Sequence, residues 1–394
     1  MAFFLPISES LTNLFFVTSV IFALLSGAAW HYRNDLIKHP IILALWLMLA
    51  VIVLGLTYSH ALSDPQTWRL LKKYLWIVLT PWLLLAIRQS AQRQSIFFAF
   101  LYGNASVLLL SLFMLLKGLL AGHAVNPCVF RGHIPQNFYM SFCSAIWLYY
   151  AIRRPQHRRL MALLFVLSTI SVFAVSSRTG YMNWVLLVTL VSLTQLPWRQ
   201  SLIILLSSLV LLASLTSLSP VFTARISQAV SEVSQHAEGK DGKDATSMGI
   251  RAVQLSSGLQ IFRQHPLFGV GTGGASAAFE QLPAKTRNER LVNSRHTVVD
   301  LTYVNVMVEH GLLGLVALLV FITIIVRCSL RLKSPWCSIG LYFTAAYFTA
   351  ALFTPFLVSS FAVDYFVIML VVLFGGELAK KPLKSHHSEV PVAT

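Results

Sequence analysis

The sequence predicts an all-α integral membrane protein with about 11–12 transmembrane helices and one large helical loop outside the membrane. Three observations predict it. The first is composition: of 394 residues, 56% are hydrophobic and 11% charged, with a mean hydropathy of +0.70. A soluble domain carries roughly 25% charged residues, and so few charges cannot cover a soluble surface. The second is that the apolar residues form continuous runs close to the roughly 20 residues that cross a bilayer as a helix. The third is that the cations gather in short loops on one side of those runs.

The runs fall at about 11–30, 40–58, 74–88, 95–120, 136–152, 160–176, 181–197, 201–219, 311–327, 337–354 and 360–378. Helices are the expected spans, because backbone groups in lipid must pair within their own segment. A barrel would show short alternating stretches instead. The first Lys or Arg is Arg33, so residues 11–30 are expected to be a retained helix and not a cleaved leader.

Orientation follows from the basic residues. The loops at Arg33–Lys38, Arg88–Arg93, Arg153–Arg159, Arg199 and Arg327–Lys333, with the tail Lys380–Lys384, hold fifteen cations. The opposite short loops hold six, namely Arg69, Lys72, Lys73, Lys117, Arg131 and Arg178. This bias places the C-terminus in the cytoplasm and the long loop outside it. Four regions are expected: an N-terminal transmembrane bundle over 1–219, a large periplasmic loop with amphipathic helices over 220–310, C-terminal transmembrane helices over 311–378, and a cytoplasmic tail over 379–394.

Within the loop, residues 238–247 are a polar Gly/Asp/Lys stretch that is expected to be flexible. Two flanking segments repeat apolar residues at helical spacing: Ile226, Val230 and Val233 in 223–236, and Leu255, Leu259 and Phe262 in 250–264. Amphipathic helices beside a membrane lie in its interface, so the loop is expected to be a small helical lid. A third segment, 297–310, leads into the run that starts at Gly311.

The net charge of +16 does not point to nucleic acid, because the cations are distributed as topology signals; it suits anionic lipid or a phosphorylated substrate. The four cysteines show no metal-ligand spacing, and neither a structural metal, a cofactor nor a disulfide framework is expected.

The polar groups on the outer side carry the candidate chemistry. Arg178 lies in Ser176-Ser177-Arg178-Thr179-Gly180, between two apolar runs; cations at membrane depth face a polar cavity or a partner, or snorkel to the headgroups. Arg251 opens an amphipathic segment, where a helix N-terminus and a guanidinium together favour phosphate, although a solvated loop Arg has the same pattern. The stretch His265-Pro266-Leu267-Phe268-Gly269-Val270-Gly271-Thr272-Gly273-Gly274 contains a formal GxGxxG, but without a βαβ context it is expected to be a tight turn with close backbone approach. Arg295 and His296 precede Asp300; on a helix His296 and Asp300 share a face, where either is a candidate base or a simple capping group. Glu309, His310 and Asp364, and the loop residues His123, Arg131 and His133, complete the set. Trp184 and Trp336 are expected to be interfacial anchors.

These pieces resemble the bacterial O-antigen ligase and O-antigen polymerase superfamily. The resemblance rests on Ser177-Arg178-Thr179-Gly180 at a span end, Gly249-Ile250-Arg251, Gln264 to Gly271, and Glu309-His310-Gly311-Leu312-Leu313-Gly314. It covers the layout of most of the chain, with local motifs in roughly 176–326. The family implies a GT-C-like membrane transferase that takes a glycan from undecaprenyl diphosphate. In ligases the acceptor is lipid A core on the periplasmic side of the inner membrane. The resemblance also implies that Arg178 and Arg251 bind the donor diphosphate; Arg131, His133 and Arg295 are secondary candidates from their place among the polar groups on the outer side. The ligase pattern places a His eleven residues before the terminal Gly-x-x-Gly; here that position is Asp300, with His296 one helical turn earlier, so both stand as candidate catalytic residues. An O-antigen polymerase, or a transferase that glycosylates pilin-like proteins, shares these motifs. A polytopic transporter or flippase would share the many spans, but the sequence shows no internal repeat.

Overall fold

The computed structural model describes residues 1–25, 38–87, 90–122, 125–218, 247–282 and 301–375. His296, Asp300, Arg295, His123 and the segment 223–236 lie outside the described residues. Each of the eleven apolar runs carries a helix among its described residues. In chain order the long helices are α1 (Glu9–Leu25), α2 (Pro40–Thr57), α3 (Pro65–Ala86), α4 (Ser90–Leu120), α5 (His133–Arg153), α6 (Arg158–Ala174), α7 (Arg178–Gln195) and α8 (Trp198–Leu218). After these come α9 (Ser247–Gln264), the short α10 (Ala275–Glu280), α11 (Thr302–Leu330), α12 (Trp336–Ala350) and α13 (Ser360–Phe374). No strand occurs among the described residues.

Four of these segments, Pro40–Thr57, Ala91–Leu120, Pro155–Ala174 and Thr302–Leu330, are long and apolar enough to cross a membrane, with Glu9–Leu25 and Ser360–Phe374 as shorter apolar helices. Helices α5 and α7 bury polar side chains where they face each other. In α5, Gln136, Asn137, Ser141 and Ser144 are all buried. Asn183 Nδ2 donates to Ser141 Oγ at 3.1 Å and Trp184 Nε1 to Ser144 Oγ at 3.0 Å, tying α7 to α5. Trp184 is therefore a core residue and not the interfacial anchor expected of it; its indole also packs edge-on to Phe173, 5.1 Å between ring centroids.

Helices α5 and α13 are buried almost all round and form the centre of the bundle. An aromatic cluster joins them to α12: Tyr365, Phe138, Phe343 and Phe366 meet Tyr347 and Phe356, with Phe138 and Phe356 only 4.8 Å apart between centroids. The outer helices turn large apolar side chains outward, including Phe22 on α1, Phe113 and Leu120 on α4, Val210 on α8 and Val316 on α11. Such an apolar exterior is stable in lipid and not in water. The protein is an all-α integral membrane protein.

Two helices begin about nine residues earlier than the apolar runs alone indicate. Helix α3 starts at Pro65, where the missing N–H costs nothing in a first turn. Helix α11 starts at Thr302 because its polar first turns are buried against the chain between α12 and α13: Thr302 N donates to Ala351 O at 3.1 Å and its hydroxyl to Thr354 O at 2.7 Å.

Candidate functional site

The two motifs at Gln264 to Gly274 and Glu309 to Gly314 are one structure. Helix α11 breaks at Gly311, whose φ of 62° and ψ of −151° lie outside the helical region. A break inside a membrane helix strands carbonyls on one side and N–H groups on the other, and in lipid these must find partners. The glycine-rich loop supplies both. Val270 N and Gly271 N donate to Val308 O and Glu309 O at 2.9 Å each, while Leu312 N and Leu313 N donate to Pro266 O and Leu267 O at 2.8 and 3.2 Å. The loop is thus spliced into the helix in place of the missing turn.

This contact is too close for side chains. A Cβ on Gly311 would lie 2.5 Å from the Leu267 carbonyl, and one on Gly269 would lie 2.5 Å from Val308 O. Both glycines also have positive φ, so both demands fall on the same residues. The other side of the loop docks on the end of α2. Thr272 Oγ1 donates to Ile52 O at 2.7 Å, Ser59 Oγ to Thr272 O at 2.8 Å, and Tyr58 OH to Phe268 O at 2.6 Å.

Glu309 and His310 sit immediately before the break and are buried, Glu309 completely. His310 Nε2 lies 3.7 Å from Glu309 Oε2. Glu309 also lines a narrow cavity with Thr302, Asn305, Tyr74 and the turn at Pro355–Val358.

Arg178 is the first residue of α7 and is half-buried. Its position is set by Asn137 of α5, whose Nδ2 lies 3.0, 3.3 and 3.4 Å from the carbonyls of Val172, Val175 and Ser177. These are the carbonyls freed where α6 ends and the chain turns into α7. Gly180 allows the approach, since a Cβ there would be 2.6 Å from Asn137 Cγ.

Arg251, also half-buried, lies in the first turns of α9. That helix packs on α11 through Gln254, Ser257, Gly258 and Ile261; a Cβ on Gly258 would be 2.3 Å from Val304 Cγ1. The apolar face made by Leu255 and Leu259 is exposed, pointing away from α11. Helix α7 packs on α12, α9 packs on α11, and α11 packs on α12, so the two arginine-bearing helices dock on one helix pair.

Arg131 is engaged elsewhere. Its guanidinium is 6% exposed, donates to Leu5 O at 2.9 Å, and lies 3.2 Å from Glu9 and 3.5 Å from Asp364. It thereby fastens the N-terminal segment to α13. His133 is the exposed first residue of α5. In the same loop, burial raises the Cys128 thiol above its ordinary pKa, with the Gly132 backbone pulling the other way. The sequence reading did not single out Gln136 and Asn137. Two adjacent amides at the start of an apolar run were the available signal, since buried amides must find partners.

An all-α membrane bundle with a loop-spliced helix break, and with two arginines in the first turns of helices docked on one pair, defines the class. Residues 163–319 match the family model described as O-antigen ligase, which supports the O-antigen ligase and polymerase superfamily. The matched span includes Arg178, Arg251, the glycine-rich loop and the Gly311 break. The superfamily implies glycosyltransferase-like chemistry on a lipid-linked glycan and a lipid acceptor in general terms. No curated protein matches the chain.

Proposed function

We propose that this protein is an O-antigen ligase. It transfers a glycan from undecaprenyl diphosphate to lipid A core at the periplasmic face of the bacterial inner membrane. The observation that carries the reading is that the matched region contains two arginines in the first turns of helices, and that both helices pack on the helix pair that holds the spliced break. Free N–H groups, the helix dipole and a guanidinium all favour phosphate there.

In this scheme the donor diphosphate rests against Arg178 and Arg251, which stabilise charge building on the leaving group. His296 or Asp300 takes the proton from the acceptor hydroxyl. Attack opposite the leaving diphosphate inverts the anomeric centre. The two guanidiniums carry the charge compensation, so the scheme requires no metal. The donor's lipid tail lies along the spans, and α9 covers its headgroup from the interface.

The test is transfer by purified protein given undecaprenyl-diphosphate glycan and lipid A core, with chelator present. Glycan joined to lipid A core, and lost in Arg178→Ala and Arg251→Ala while the protein stays folded, is the expected result. Longer lipid-linked chains instead would make the protein a polymerase. Full activity in both variants would overturn the diphosphate site.

A further inference from the structure

Helix α11 carries a polar stripe that the transfer scheme leaves unused. Thr302, Asn305 and Glu309 are spaced three and four residues apart, so they share one face of a helix that is otherwise apolar and long enough to span. The stripe begins at the end of α11 next to the long loop and runs about 10 Å inward to Glu309. All three residues are buried, and all three line the narrow cavity closed by Tyr74, His310 and the Pro355–Val358 turn. The cavity has room for about one water beside several polar groups.

Glu309 is the unusual member. It is 0% exposed, and neither carboxylate oxygen completes a hydrogen bond, although the Gly273 backbone and the Asn305 side chain point toward it. Among the described residues, the titratable groups facing it are His310 on its own helix, Tyr58 at the end of α2 and Tyr74 on α3. None of them is a fixed cation. A carboxylate held this deep without a permanent counter-charge is costly unless it is protonated, and an ionisable group at such a depth marks a functional site. Its packing alone does not call for an acid: the splice at Gly311 uses the Glu309 backbone carbonyl, which any residue would supply.

We propose that Glu309 is the proton-relay acceptor of the transfer reaction, reached from the loop end of α11 along the Thr302–Asn305 face through water in the cavity. The inference rests on the transferase reading above. In the step, the acceptor oxygen bonds to the anomeric carbon and the bond from that carbon to the phosphate oxygen breaks. The electron pair leaves with undecaprenyl diphosphate. The acceptor's proton, taken first by His296 or Asp300, passes into the stripe and comes to rest on the Glu309 carboxylate, which releases it to solvent before the next turnover. Glu309 touches neither substrate, so its loss affects turnover and not binding.

The experiment compares wild-type protein with Glu309→Gln and Glu309→Asp, using undecaprenyl-diphosphate glycan and lipid A core across a pH series, with thermal melting as the check on folding. The expected result for Glu309→Gln is a kcat about 10²-fold lower, KM for both substrates within about twofold, and loss of the pH-dependent limb of kcat. Glu309→Asp keeps part of the rate with that limb displaced. A Glu309→Gln kcat within about threefold of wild type overturns the relay, as does a lost rate with the pH limb unchanged or a change confined to KM. Should Glu309→Gln fail to fold, an unmoved pH limb in Glu309→Asp overturns it equally. Wild-type protein that transfers nothing overturns the transferase reading itself, an outcome distinct from any of these.

Discussion

Gly311→Ala probes the splice between the glycine-rich loop and the broken helix. Two costs fall on the new methyl group. The backbone at φ 62° and ψ −151° is a region open to essentially glycine alone, and holding a residue with a Cβ there costs about 1–3 kcal/mol. The methyl would also lie 2.5 Å from the carbonyl carbon and oxygen of Leu267 and 2.7 Å from Phe268 N, all backbone atoms that no side-chain rotation can clear. Overpacking of this kind costs about 1–3 kcal/mol more. The loop cannot retreat without weakening the bonds from Leu312 and Leu313 to Pro266 and Leu267, each worth about 1 kcal/mol. A loss of about 2–6 kcal/mol is expected. The control is Gly122→Ala. Gly122 also has positive φ, at 70°, but nothing lies within 4 Å of its Cβ position, so only about 1–2 kcal/mol of left-handed strain applies. The assay is equilibrium unfolding in mixed micelles, followed by circular dichroism. If Gly311→Ala is no less stable than Gly122→Ala, the close approach does not hold the break and the account of the splice is wrong.

Other expectations follow from the same geometry. Arg131→Met leaves the Glu9 and Asp364 carboxylates facing each other without their cation and should cost about 3–5 kcal/mol in the same unfolding assay; adding Asp364→Asn should recover part of it. Asn137→Leu removes the donor shared by the Val172, Val175 and Ser177 carbonyls, so a loss of about 1–3 kcal/mol is expected, with a fall in transfer rate because Arg178 stands on that turn. Thr272→Val keeps the shape but deletes the 2.7 Å bond to Ile52 O; about 1 kcal/mol should be lost on thermal melting.

Much of the molecule is set by sequence alone, for a reason peculiar to lipid. Where no water can solvate a backbone, a run of apolar residues has to become a helix, and each of the eleven runs carries one among its described residues. The arginines in first turns were equally legible, because Arg178 follows the end of one run and Arg251 opens a helical repeat. What the sequence could not reveal is which helices contact one another, since lipid-facing and protein-facing apolar residues look the same in it. Trp184 illustrates the point: its place near a span end suggested an interfacial anchor, and only the presence of Ser144 and Phe173 beside it made it core. The polar residues that matter most were legible as residues but not as partners. Asn137 is one amide among many until three freed carbonyls surround it, and Arg131 is a loop cation until Glu9 and Asp364, more than a hundred residues away on either side, close on it. The glycine-rich loop shows the division most clearly. Its glycines announce close backbone approach in the sequence, but what they approach is the interrupted turn of a helix some forty residues further on, and only the tertiary structure brings the two together, because each supplies the hydrogen bonds that the other lacks.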